Sequence, residues 1–250
     1  MQKPQFVNNE FYHIYNRGVE KRNIFLDEKD YFRFIHDLFE FNDENLTLNT
    51  NYYLKKDKIG GEGGESIIGV QLPYIKAERE PRKLLVSILG FCQMPNHYHL
   101  ILRQRKEGGI VRFMQKLGTG YTNYFNQKQE RVGPLFQGRF KAVHINQEEH
   151  LQHLFFYVHF NSLDLIEPAW REGKINDYQK TIKFLDSYRW SSYLDYIGKH
   201  NFPSVTQDRD FFLEVLGGFE GIIGNTKEWL KEISQLREID TKEFNFIMLD

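Results

Sequence analysis

The chain has 250 residues, enough for one large domain or a domain with an appendage, and long enough to bury a sizeable core. Lysine and arginine number 33 against 34 aspartates and glutamates, so any nucleic-acid surface has to be local. A single cysteine, Cys92, excludes an intrachain disulfide framework and a cysteine-based zinc cluster, and fits a reducing compartment. The amino terminus carries no apolar signal region and no run approaches membrane-spanning length, so a cytoplasmic location and no membrane partner are expected.

In chain order, residues 11–16 are aromatic and β-prone and read as a first strand, followed by a basic turn with Arg17, Lys21 and Arg22. Asp27 is a candidate N-cap for a helix running to about Phe41, with Tyr31, Phe34, Ile35, Leu38 and Phe39 at helical spacing. Residues 42–81 change character, with a glycine-rich, low-complexity patch at 60–65, and read as a flexible insertion. Residues 84–92 form a strand, a Pro95-Asn96 turn closes a hairpin, and a third strand runs back through 98–102. Residues 110–127 read as a second helix with Val111, Met114, Leu117, Tyr121 and Tyr124 along one stripe, at some cost from Gly118 and Gly120. A fourth strand follows at 140–145. The order is β-α-β-β-α-β, the ferredoxin-like arrangement with an antiparallel sheet, placing the chain in the α+β class.

The candidate chemistry starts at His97 and His99. Residues two apart on a strand share a face, so both imidazoles point away from Tyr98, Leu100 and Leu102. Such a pair either binds one divalent cation or is satisfied by neighbouring side chains. On the next helix, 147–161, the residues Leu151, Leu154, Phe155 and Val158 make a docking stripe. His150, His153, Tyr157 and Asn161 share a neighbouring face. Tyr157 and Asn161 can reach the His pair across the open sheet face, or they are amphipathic packing and a frayed end. Between 112 and 141 stand Arg112, Lys116, Lys128, Arg131, Arg139 and Lys141 against the lone acid Glu130. Tyr121, Tyr124 and Phe136 are interleaved with them, the pattern of a single-strand DNA platform that Arg17, Lys21 and Arg22 can extend, although part of this aromatic set is also candidate core. Short helices at 211–216 and 228–236 suggest a mostly helical C-terminal appendage, 199–250, after a domain at 1–198.

Several ordered blocks resemble the IS200-like transposases, in particular the REP-associated tyrosine transposases of the HUH endonuclease superfamily. They are Tyr12-His13-Ile14-Tyr15-Asn16-Arg17-Gly18, Met94-Pro95-Asn96-His97-Tyr98-His99-Leu100-Ile101-Leu102, Gly133-Pro134-Leu135-Phe136-Gln137-Gly138-Arg139-Phe140-Lys141, Tyr157-Val158-His159-Phe160-Asn161 and Tyr188-Arg189-Trp190-Ser191-Ser192-Tyr193. The resemblance implies a DNA transposase that cleaves and rejoins single-stranded DNA near hairpins through a 5′-phosphotyrosine. It carries divalent-metal binding (Mg2+ or Mn2+) onto His97, His99 and Asn161, and nucleophilic attack onto Tyr157. After Asn161 the family's usual proline is replaced by Ser162. With one tyrosine on this helix face, the single-tyrosine class is implied, acting as a monomer or homodimer. The alternatives are a domesticated hairpin-DNA-binding protein without cleavage, and a histidine-triad hydrolase, which needs a further alternate histidine where Ile101 stands.

Overall fold

The protein is described by a computed structural model covering residues 4–45 and 81–235. Four strands, β1 (Phe11–Arg17), β2 (Val86–Met94), β3 (His97–Gln104) and β4 (Lys141–Ile145), make one sheet in the order β2-β3-β1-β4. Every neighbouring pair is antiparallel. With α1 (Glu28–Glu40) and α2 (Gly109–Lys128) as crossovers, this is the expected ferredoxin-like core. The expected insertion, 42–81, lies mostly outside the described residues.

Local chemistry accounts for the element ends. Asp27 caps α1 by accepting the amide of Asp30 at 3.1 Å. Beyond α1, Asn42 is buried and takes the place of a strand partner: its side-chain oxygen accepts from the amides of Leu85 and Val86, and its nitrogen donates to the carbonyl of Val86. Gly120 allows α1 and α2 to approach, because a Cβ there would lie 2.4 Å from the buried ring of Phe41. At Gly118, two residues earlier on α2, the same position is open space.

The sheet is buried on both faces. Tyr12, Ile14, Phe91, Tyr98, Leu100 and Leu102 point into a first core with Phe34, Leu38, Phe113 and Leu117 of α1 and α2. The opposite face, expected to be open, is instead roofed by α3 (Glu148–Phe160) over Leu89, Cys92, Met94 and Ile101. Outside α3 pack α4 (Tyr178–Leu185), the short α5 (Tyr193–Tyr196), α6 (Arg209–Val215) and α7 (Gly218–Gln235). Phe212, Leu216, Ile222, Leu230 and Ile233, from the stretch read as an appendage, all join this second core. Residues 154–160 of α3 are therefore buried all round, since the helix is enclosed between sheet and C-terminal helices. Among the described residues, no helix is long and apolar enough to cross a membrane.

The outer edge of β2 is also covered. The amide of Gln93 donates to Trp190, that of Ser192 donates to Phe91, and the Phe91 amide donates to the Ser192 hydroxyl. Segment 190–192 thus occupies an edge that would otherwise pair with another chain.

The two α2 glycines make a matched pair. Gly120→Ala is expected to cost about 1–2 kcal/mol, an overpacking cost of about 1–3 kcal/mol less the gain in helix propensity. Gly118→Ala is expected to stabilise by about 0.5–1 kcal/mol. Urea midpoints measured on the two variants check the opposite signs.

Candidate active site

The β1–β3 register builds the site. Arg17 lies opposite His97, and Tyr15 opposite His99, with Met94 and Cys92 facing the same two histidines from β2. His13 lies two residues before Tyr15, so its ring joins the same face. His13, Tyr15, His97 and His99 therefore form one aromatic row: the His13 and Tyr15 rings are 5.0 Å apart, Tyr15 and His99 5.7 Å, and His97 and His99 5.0 Å.

Burial divides the row. His13 and His99 are almost wholly enclosed, and burial lowers both imidazoles, His13 to about 3 and His99 well below the ordinary histidine value. Both are neutral at physiological pH, which leaves ring lone pairs for ligation. The positive charge of Arg171 is one of the groups that disfavour a protonated His99. His97 stands at the strand end and is only half-buried.

Hydrogen bonds fix how the rings present themselves. The Asn96 nitrogen donates to the Lys21 carbonyl, so its oxygen, 2.6 Å from His97 Nδ1, accepts from that ring. The His97 lone pair is then on Nε2. His99 Nδ1 lies 2.8 Å from His13 Nε2, whereas His99 Nε2 is buried without a hydrogen-bond partner. A cation on His99 Nε2 would select the tautomer in which Nδ1–H donates to His13, a partner of the kind that orients metal-bound histidines. These imidazoles fit a divalent cation. Among the described residues, no group of three or more His, Cys, Asp or Glu side chains could hold a metal ion. The two imidazoles would thus need further ligands of another kind.

Tyr157 comes down from α3 onto this row. Its ring stands edge-on to His13 at 5.7 Å and to His99 at 5.8 Å between centres. It is only 3 % exposed, so the phenol sits beside the imidazoles but beneath the surface. Asn161, which caps α3, is fully buried. Its nitrogen donates to the Tyr157 carbonyl at 2.8 Å, and its oxygen accepts from Arg171 at 2.7 Å. His150 and His153 do not join the site: His150 is half-buried near the start of α3, and the ring of His153 lies 5.1 Å from that of Trp229 on α7.

A further histidine sets the height of α3. His159 Nδ1–H donates to the Phe155 carbonyl at 2.7 Å, and its Nε2 accepts from the Ser192 hydroxyl at 2.8 Å. Enclosed on all sides, its imidazole is lowered to about 3. The helix that carries Tyr157 is thereby tied to the segment covering the β2 edge.

A cleft of about 360 Å3 opens at His97, lined also by Tyr15, Asn16, Arg17, Lys21, Asn96, Gln137, Arg139 and Lys141. Four of the expected DNA-contacting cations thus meet beside the half-buried His97. Loop 130–138 supports the wall: the Gln137 amide donates to the Arg17 carbonyl, and the Val19 amide donates to Leu135. A second groove of about 790 Å3 shares Asn16 and Arg139 with the cleft and runs along α2 past Gln115, Thr119, Thr122 and Asn123.

The remaining expected contacts lie elsewhere. Tyr121 and Tyr124 are not a stacking surface. The former is fully buried and donates to the Ile24 carbonyl, and the latter donates to Asp30 from inside the first core. Phe136 is largely buried, its ring against that of Tyr98, but it lines the second groove. Lys128 pairs with Asp27 and Asp30, and Arg131 with Asn126 and the Pro134 carbonyl. Arg112 and Lys116 donate to backbone carbonyls at 43–45. Arg22 folds back on Glu20 and the Val19 carbonyl. None of these five cations lines the cleft.

With this geometry in place, comparison with known proteins is informative. A family model described as "Transposase IS200 like" matches residues 78–161, the stretch from β2 to the end of α3. That stretch is similar to the IS200-like transposases. It holds His97, His99, Tyr157 and Asn161, whereas His13 and Arg171 fall outside it. No curated protein matches the chain. Among solved structures, the chain is similar to a REP-associated tyrosine transposase bound to a REP hairpin, at 11 % identity and a TM-score of 0.48. That alignment covers 84 % of this chain and 92 % of the other.

The lowered imidazole of His159 has a measurable consequence for the helix it anchors. Its stabilising contribution is complete above the unfolded pKa of about 6.5, and is lost as pH falls towards the folded value of about 3, because the unfolded state takes up the proton first. Each such histidine steepens the loss by about 1.4 kcal/mol per pH unit below about 6. Urea unfolding at pH 7, 6 and 5 is expected to show a slope shallower by about one proton in His159→Gln than in the parent protein.

Proposed function

We propose that this chain is a metal-dependent single-strand DNA transposase that cleaves and rejoins DNA near hairpins, with Tyr157 as nucleophile. The family match supports a transposase-type DNA function. The observation that carries the finer reading is the ring of Tyr157 edge-on to His99, 5.8 Å away, where the adjoining His97 opens into a basic cleft.

In this reading Arg17, Lys21, Arg139 and Lys141 hold successive backbone phosphates of a single strand in the cleft. The neighbouring α2 groove, with its amide and hydroxyl side chains, takes the bases. His97 and His99 would hold the cation, with Asn161 joining them once its oxygen leaves Arg171. When bound, the cation neutralises the non-bridging oxygens of the scissile phosphate and assists the departing oxygen. Tyr157 Oη forms a bond to phosphorus and the P–O3′ bond breaks; the phenol gives up its proton and the leaving 3′-oxygen takes one up. The products are a 5′-phosphotyrosine and a 3′-hydroxyl. One phosphodiester replaces another, so a second 3′-hydroxyl can displace the tyrosine without ATP. Phosphoryl transfer of this kind depends on positioning and charge stabilisation, which the cation row and the two imidazoles supply. Because the phenol is nearly enclosed, strand entry has to turn the ring, or shift α3, towards the cleft.

That enclosure also favours a second reading, a hairpin-DNA-binding protein that does not cut. The two separate in one experiment. Single-stranded hairpin DNA incubated with the protein and Mn2+ is expected to give a covalent adduct on a denaturing gel, absent in Tyr157→Phe, which still retards the DNA on a native gel. Retardation with no adduct from the parent protein, across a panel of hairpins, would select the binding reading.

The cleft assignment has its own measure. For single strands, log K falls with log salt by about 0.7 per phosphate contact. Arg139→Ala and Lys141→Ala are each expected to lower that slope by about 0.7, and Arg112→Ala to leave it unchanged.

A further inference from the structure

Arg171 lies ten residues beyond Asn161, outside the family-matched segment, on a short 3-10 turn, Trp170–Glu172. The turn is held by Glu167, whose carboxylate accepts from the amides of Asn176 and Asp177 and from the Asn176 side chain. Its guanidinium lies over the Trp170 ring at 4.6 Å and pairs with Asp164. From there it donates to the Asn161 oxygen at 2.7 Å and approaches the Tyr157 ring centre to 5.9 Å. The side chain is 23 % exposed, so one cation spans the distance from the surface to the nucleophile helix.

Two features make this arrangement more than packing. The Asn161 oxygen is the atom through which an amide would ligate a hard cation, and here a guanidinium occupies it. The imidazole pair meanwhile lacks a third ligand among the described His, Cys, Asp and Glu side chains. A guanidinium binds a phosphate through charge-assisted, two-pronged hydrogen bonds, which are stronger than a single bond to a neutral amide oxygen. We infer that Arg171 is a positioning residue that withholds Asn161 from the cation site until a phosphodiester claims the guanidinium. Binding of the strand then frees the Asn161 oxygen, and the cation is held tightly only when DNA is in place. This inference rests on the function proposed above. By linkage, cation and strand each tighten the other by the same factor.

The test measures Mn2+ affinity of the full chain by the EPR signal of the free ion, with and without a twelve-residue oligothymidylate as the phosphodiester probe. In the parent protein the oligonucleotide is expected to tighten Mn2+ binding about tenfold, a coupling of ordinary allosteric size. In Arg171→Gln the affinity without DNA is already raised by a similar factor, and the oligonucleotide adds less than twofold. Arg171→Lys keeps the charge but cannot span Asp164 and Asn161, so it follows Arg171→Gln. In the double variant Arg171→Gln/Asn161→Ala the gain disappears.

Three results overturn the inference: no coupling between Mn2+ and the oligonucleotide in the parent protein, parental Mn2+ affinity in Arg171→Lys, or a gain that survives removal of Asn161, which would mark a pure charge effect. Thermal melts establish that each variant is folded, and Arg171→Lys decides if Arg171→Gln is not. His97→Ala separates the two levels. If it binds Mn2+ as tightly as the parent, the proposed cation site is itself wrong. If it abolishes binding while the Arg171 variants behave as parent, only the role of Arg171 falls.

Discussion

The pairing of β1 with β3 is the constraint on which the rest of the molecule depends. Side chains alternate between the faces of a strand, so a slip of one residue would move His13 and Tyr15, or His97 and His99, into the first core. The observed register sets Arg17 beside His97 and Tyr15 beside His99, giving one face a gradient from half-buried cation to fully buried imidazole within three strand positions. That register is enforced from the other face. Tyr12, Ile14, Tyr98, Leu100 and Leu102 are all enclosed by α1 and α2, and a slip would take them out of that core. The polar row is thus held in place by the hydrophobic core behind it.

Covering that row with α3 costs stability, because His99 Nε2 and His13 Nδ1 are buried without hydrogen-bond partners. Unpaired buried polar groups at a cleft are the type of local inconsistency that persists where a ligand resolves it. His159 makes a useful contrast: it is as deeply buried, yet both its nitrogens are bonded, to Phe155 and Ser192, so it ties α3 to the segment over the β2 edge. Among the buried histidines on this sheet face and its covering helix, satisfaction separates the structural His159 from His99, whose Nε2 is left open beside His97.

The fold was legible wherever a period was long enough to read. The stripes of the helices at 28–40 and 109–128 and the alternation of the His strand gave the ferredoxin-like order, with Tyr98, Leu100 and Leu102 assigned to the helix-covered face. What failed was the inference from aromatic residues among cations to a stacking surface. Tyr121 and Tyr124 lie on the same stripe as Leu117 and Met114, and the first core needs their volume; their hydroxyls are satisfied by Ile24 and Asp30. His13 was within reach, because alternation along 11–17 places it with Tyr15 and Arg17. Arg171 was not. It reaches Asn161 through a turn whose position depends on Glu167 and on contacts of the second core, and no local period reports such a contact.

The expectation of an open sheet face failed for a related reason, and the failure bears on mechanism. A helix with one apolar stripe lies on a surface, but residues 154–160 are apolar or aromatic nearly all round, and the C-terminal helices supply the second wall they need. The nucleophile candidate therefore sits inside a sandwich whose outer layer, α4 to α7, lies outside the family-matched segment. A phenol held against neutral imidazoles and below a guanidinium is protected from solvent and from adventitious phosphates. Access then depends on a motion small enough to keep the two cores intact, and the Arg171 side chain, held by hydrogen bonds and an ion pair, costs less to displace than α3 or than the turn itself, whose Trp170 belongs to the second core. Chemistry at Tyr157 would be controlled by that side chain, while the sheet beneath it stays fixed.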